Sequence, residues 1–154
     1  MLAAMPVLVV GADTAIGRAA VAELAPTASQ VRAFVSDAAA VDELRGLGAT
    51  VAVGDVSDAS HLAGAAFGAF SAILIDEAAG DDRERAFAAD QAEVHDAWAE
   101  ALRDAGIRRV IWIGPAPPAA INELDAEVAA VDPSGGTTAT VAAIVSLDDA
   151  AEIE

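Results

Sequence analysis

The chain has 154 residues, 55% of them hydrophobic, with 25 acidic side chains against eight basic ones and a formal charge of −17. That length accommodates one domain with one core, and that charge excludes a general binder of nucleic-acid phosphates or anionic lipid surfaces. Cysteine, tyrosine and lysine are all absent, which removes disulfides, thiolate nucleophiles and every lysine-dependent mechanism from this chain.

Apolar runs and helical patterns alternate along the chain. Pro6 to Val10 reads as the first strand and Ala15 to Leu24 as its helix, stopped by Pro26. A strand over Val31 to Val35 precedes a helix from Ala38 to Leu47 that ends at Gly48. Thr50 to Val53 reads as strand three, Ala59 to Phe67 as helix three and Ala72 to Ile75 as strand four. A long helix from Arg83 to Ala105 ends at Gly106 and leads into strand five, Arg109 to Ile113. The Gly114-Pro-Ala-Pro-Pro118 segment interrupts the alternation. Beyond it the pattern predicts a helix over Ala119 to Val131, a loop at Asp132 to Gly136, a β-branched sixth strand over Thr137 to Leu147 and a fraying acidic tail over Asp148 to Glu154.

Strands alternating with helices predict a single α/β domain over residues 1–154: a doubly wound parallel sheet of Rossmann type with five to six strands, in the order 3-2-1-4-5 with the sixth beyond. Residues 115–154 are expected as its shortened C-terminal segment, with a helix and the sixth strand. Short continuous runs such as Val-Leu-Val-Val and Ala-Ile-Leu-Ile fit strands covered on both faces. No apolar run approaches the ~20 residues of a membrane helix, and the first ten residues carry no cationic leader, so the expectation is a cytoplasmic protein.

The first strand runs into Gly11-Ala12-Asp13-Thr14-Ala15-Ile16-Gly17, the glycine turn of a dinucleotide-binding βαβ unit, where N–H groups at a helix N-terminus receive a pyrophosphate. Gly11 and Gly17 stand at the required spacing. Thr14 replaces the middle glycine and Asp13 adds a negative charge beside it. Asp13 and Thr14 read equally well as the N-cap of the first helix, satisfying the donors a phosphate would take.

Five segments in order carry a family likeness: Leu8 to Arg18, Val31 to Asp37, Gly48 to Val56, and Ala101 to Ile113 across a helix and a strand, with Ser134-Gly135 as a fainter turn. Together they resemble the atypical short-chain dehydrogenase/reductase family, in particular its NmrA-like, NAD(P)-binding branch. The resemblance implies an oxidoreductase-like protein that holds NAD(P) and a small-molecule ligand at the carboxyl ends of the strands. Gly11 to Gly17, Ser36, Asp37, Asp55, Val56, Asp76 and Gly114 would surround the crevice. Asp55 corresponds to the family's acid near the adenine. Asp37 stands about twenty residues past Gly17, where an acid binds the adenosine ribose and favours NAD over NADP, or else caps helix two. No arginine lies in the glycine turn or near Ser36, as NADP-using members would have.

The family's Tyr-x-x-x-Lys pair is missing, and strand five ends in Gly114-Pro115 where the wider superfamily places a serine. Asp76, Glu77 and His95 are the remaining catalytic candidates. Asp76 and Glu77 read as a solvated acidic turn or as charges compensated by Arg83 and Arg85, and His61 as an exposed or capping residue. His95 lies between Glu93 and Asp96, off the i, i+4 spacing of a helical metal pair, so no metal site is expected. The open alternative is a non-redox member: a binding, regulatory or assembly protein, or a cofactor-free catalyst on the same scaffold. Phe87, Trp98 and Leu102 read as core-facing residues of the long helix or as the contact face of a homodimer.

Overall fold

Five of the strands are the apolar runs of the sequence, and their period-two alternation sorts side chains onto two faces of one sheet. The computed structural model describes residues 5–28, 30–80 and 86–150. The elements are β1 (Pro6–Val10), α1 (Ala15–Leu24), β2 (Gln30–Val35), α2 (Val41–Gly46, preceded by a 3₁₀ turn Ala38–Ala40), β3 (Thr50–Val53), α3 (Ala59–Ala66) and β4 (Ser71–Ile75). After a 3₁₀ turn, Asp76–Gly80, come α4 (Gln91–Ala105), β5 (Arg109–Ile113), α5 (Ala119–Asn122), β6 (Glu127–Val131) and α6 (Thr137–Asp149). The sheet has six parallel strands in the order β3-β2-β1-β4-β5-β6, a doubly wound Rossmann arrangement as expected.

One face packs Val7, Val9, Ile73, Ile75 and Ile111 against Val21 and Leu24 of α1, Leu44 of α2 and Ile144 of α6. The other packs Leu8, Val10, Leu74 and Trp112 against Leu62 of α3, Trp98 and Leu102 of α4 and Ile121 of α5. Order reverses between β1, which runs on through β2, and β4, which runs on through β5. In doubly wound sheets that switch point, at the carboxyl ends of the strands, is where ligands bind.

The C-terminal segment corrects the sequence reading twice. Residues 119–131 were expected as one helix; only Ala119–Asn122 is helical, and Glu127–Val131 is the sixth strand, paired with β5 from Arg109↔Glu127 to Ile113↔Val131. Residues 137–147 were expected as that strand and instead form α6, which lies against α1. Helix propensity is a weak prior, and burial of Val141 and Ile144 against the sheet outweighs the β-branched content. Thr140 satisfies its hydroxyl within the helix by donating to the Gly136 carbonyl at 2.7 Å.

The long helix also starts later than expected. Its expected first turn, 83–85, lies outside the described residues, and Ala86 to Asp90 are not helical. Asp90 caps α4 by accepting from the Glu93 N–H at 3.0 Å, while Glu93 reaches back to the Ala89 N–H at 2.7 Å. The broad face shared by Phe87, Trp98 and Leu102 is therefore not formed. Trp98 and Leu102 are buried, and Phe87 precedes the helix and is 71% exposed. Of the expected tail, Asp148 and Asp149 belong to α6, and 151–154 lie outside the described residues. No helix among the described residues is long and apolar enough to cross a membrane.

Candidate functional site

The turn from β1 into α1 is shaped by two glycines. Gly11 has φ +87°, a left-handed conformation that disfavours other residues. Gly17 lets α1 press onto the turn: a Cβ there would overlap the Gly11 carbonyl oxygen and come within 2.6 Å of the Ala12 Cα. Ala12 is fully buried beneath the turn. The Phe34 carbonyl accepts from the Gly11 N–H at 3.1 Å, tying the turn to β2.

Thr14 is the N-cap of α1. Its hydroxyl donates to the Gly11 carbonyl at 2.7 Å and accepts from the Gly17 N–H at 3.0 Å. One donor of the anion seat is thereby used internally. No hydrogen bond among the described residues takes the N–H groups of Ala15 and Ile16, so two donors remain at the positive end of the helix. These residues fit a dinucleotide pyrophosphate, with one donor fewer than an all-glycine turn offers.

Asp13 does something the sequence does not display. Its Oδ2 accepts from the backbone N–H groups of Ser36 and Asp37, at 3.3 and 3.2 Å. A carboxylate from the glycine turn thus bridges to the end of β2, beside the place where an adenosine ribose rests in this fold. Asp37 is exposed and caps the following 3₁₀ turn by accepting from the Ala39 N–H at 2.9 Å.

Asp55 follows β3 and is held by its neighbours. Its Oδ1 accepts from the N–H and the hydroxyl of Ser57, and its Oδ2 from the Ala86 N–H. It therefore staples the segment before α4 to the end of β3. Buried Val56 accepts from the Trp98 indole N–H at 2.9 Å, which locks α4 to the same loop.

At the carboxyl end of β4, Asp76 turns toward α4, where its Oδ1 lies 2.7 Å from His95 Nε2 and accepts from Gln91 Nε2 at 3.0 Å. Gly114 ends β5 directly against it: a Cβ there would stand 2.8 Å from the Asp76 Cβ. Glu77 is exposed on the 3₁₀ turn, and Ala78 of that turn packs on Gly11. His61 is exposed on α3, edge-on to Phe34, far in sequence from this pair. Arg83 and Arg85, expected to offset the acids, lie outside the described residues, and no metal-binding group of three ligands occurs among the described residues.

The model of the NAD(P)H-binding family matches residues 11–144, and the chain belongs to that family. No curated protein sequence matches it. Among solved structures it is similar to the triphenylmethane reductase of Citrobacter sp. complexed with NADP(H), at 24% identity and TM-score 0.56, covering 71% of this chain and 37% of that one. It is similar also to ChuY, an anaerobilin reductase of Escherichia coli O157:H7, at 26% identity and TM-score 0.53, covering 70% of this chain and 50% of that one. A third similar structure is NmrA, a negative transcriptional regulator in complex with NADP, at 17% identity and TM-score 0.66, covering 85% of this chain and 45% of that one. The chain thus spans half or less of the length of each of these three.

Proposed function

We propose that this chain binds a nicotinamide dinucleotide across the switch point and serves hydride transfer to or from a small molecule, with NAD(H) preferred over NADP(H). The observation that carries the binding is the turn itself: Gly11 and Gly17 bring α1 onto β1 with the N–H groups of Ala15 and Ile16 still available. Bound there, the cofactor would supply the hydride, and the protein would supply orientation and exclusion of water.

The preference rests on Asp13. Its carboxylate already takes the Ser36 and Asp37 donors that a ribose 2′-phosphate could use, and Asp37 adds a second negative charge. A phosphate placed about 5 Å from one such carboxylate meets roughly 1–3 kcal/mol of repulsion at an effective dielectric between that of water and a protein surface. Fluorescence titration with NADH and NADPH tests both parts. Tighter NADH binding by about tenfold or more, narrowed in Asp13→Asn, is the expected result; tighter NADPH binding contradicts the preference.

The Thr14 cap favours a second reading, a binding or regulatory protein that retains the scaffold without redox turnover. Saturable change with neither nucleotide supports that reading over the first.

A further inference from the structure

The cluster at the ends of β4 and β5 is unlike a solvated acidic turn. The side chains of Asp76 and His95 are each only 15% exposed. Trp112 and Trp98 stand against the imidazole, with ring centroids at 5.1 and 5.9 Å. Both indoles are themselves fixed, Trp112 donating to the Pro115 carbonyl at 2.7 Å and Trp98 to that of Val56 at 2.9 Å. The imidazole is therefore oriented by packing on its sides and by a carboxylate at Nε2.

Its other nitrogen is different. Nδ1 makes no hydrogen bond among the described residues, and the His95 side chain keeps its 15% exposure. With Nε2 directed at Asp76, the neutral ring presents its lone pair at Nδ1, and the charged ring presents a proton there. The space beside Gly114, where a hydroxyl side chain could otherwise stand, is taken by Asp76.

We propose that His95 is a catalytic residue that transfers a proton at Nδ1 to the oxygen of a carbonyl substrate, with Asp76 and Gln91 as positioning residues. This rests on the dinucleotide reading above, since a reduced nicotinamide supplies the hydride that forms the new C–H bond. The carbonyl π pair moves to oxygen, the Nδ1–H bond breaks as the O–H bond forms, and the neutral imidazole regains a proton from water. The Asp76 carboxylate at Nε2 offsets the positive charge that the ring carries before transfer. The arrangement supplies an oriented acid in a chain that contains no tyrosine or lysine.

The test combines chemical modification with turnover. The full chain is treated with diethyl pyrocarbonate, with and without saturating NADH, and acylation of His95 is mapped by mass spectrometry. NADH oxidation is then followed with diacetyl and nitrobenzaldehyde. His95 should be acylated in the free protein and protected by NADH. His95→Gln should keep NADH affinity within about twofold, lose about 10²–10⁴ in turnover, and regain part of it when imidazole is added. Asp76→Asn should lower kcat with little change in KM. A His95 that is unreactive, or equally reactive with NADH bound, overturns the proposal while leaving dinucleotide binding intact. So does protection without turnover of either carbonyl, or a folded His95→Gln that matches the wild type or that imidazole does not rescue. Failure of the wild type to bind NADH instead removes the underlying reading and this proposal together.

Discussion

Replacing Thr14 by glycine should move stability and nucleotide affinity in opposite directions. The Thr14 hydroxyl makes two hydrogen bonds, at 2.7 and 3.0 Å, and both are lost. The turn is partly exposed, so water replaces much of what is removed, and an N-cap change to glycine costs only about 0.3 kcal/mol. For a domain of this length that lowers Tm by roughly 1 °C. The same change frees the Gly17 N–H beside those of Ala15 and Ile16. A hydrogen bond to a charged phosphate contributes about 1.5–3 kcal/mol, or roughly ten- to a hundredfold in Kd. Thermal unfolding by circular dichroism and NADH titration on the same samples read both quantities. Thr14→Ser keeps the hydroxyl and should match the wild type in each. A Thr14→Gly variant that is less stable yet binds NADH no better would refute the idea that Thr14 competes with the pyrophosphate.

Two further substitutions probe the C-terminal segment. Arg109 is buried, donates from Nη1 to the carbonyls of Leu147, Asp148 and Ala150, and pairs with Glu127 at 3.1 Å. Arg109→Met should cost about 3–5 kcal/mol and lower Tm by roughly 6–20 °C; a loss below ~1 kcal/mol in urea unfolding would show that the anchor carries little. Burial raises the Asp148 pKa, against the opposing pull of the Ser71 hydroxyl and the Arg109 charge. Ionisation is therefore harder in the folded state, so this group's stabilisation is complete below the ordinary carboxylate range near pH ~4 and is lost as pH rises through the raised value. Asp148→Asn should accordingly gain stability over the wild type between about pH 4 and pH 7, and a difference in Tm that stays constant or reverses over that interval would contradict the assignment.

Local patterns carried most of the fold. The β1 strand, the glycine turn and α1 are specified within about twenty consecutive residues, and each strand up to β5 is a short apolar run between turn signals. The exchange at the C-terminus has a different origin. Glu127–Val131 is a strand because β5 offers it an edge with matching register, and Thr137–Asp149 is a helix because α1 and the sheet need a cover. Neither partner is visible from within those segments. The start of α4 was legible in Asp90-Gln-Ala-Glu93, a capping signal overridden by the helix-prone residues before it.

The site divides in the same way. Thr14 and Gly17 act through neighbours three to six residues away, so their roles follow from spacing, whereas Gly11 also meets Phe34 and Ala78, far along the chain. Asp13 acts through the amides of Ser36 and Asp37, and backbone donors leave no residue-type signal. Asp76 and His95 are 19 residues apart on different elements, and what joins them is the height at which α4 crosses the ends of β4 and β5. The sequence offered both residues as candidates without offering the pair.

Dinucleotide binding at the β1–α1 turn is most directly tested by amide NMR of the isotope-labelled chain during NADH addition. The account predicts saturable shifts centred on Ala15, Ile16 and Gly17, extending to Ser36, Asp37 and Gly114. Shifts confined instead to the groove of about 660 Å³ between α1 and α6, lined by Ala19, Ala22, Val141 and Val145, or no shifts at millimolar NADH, would contradict it.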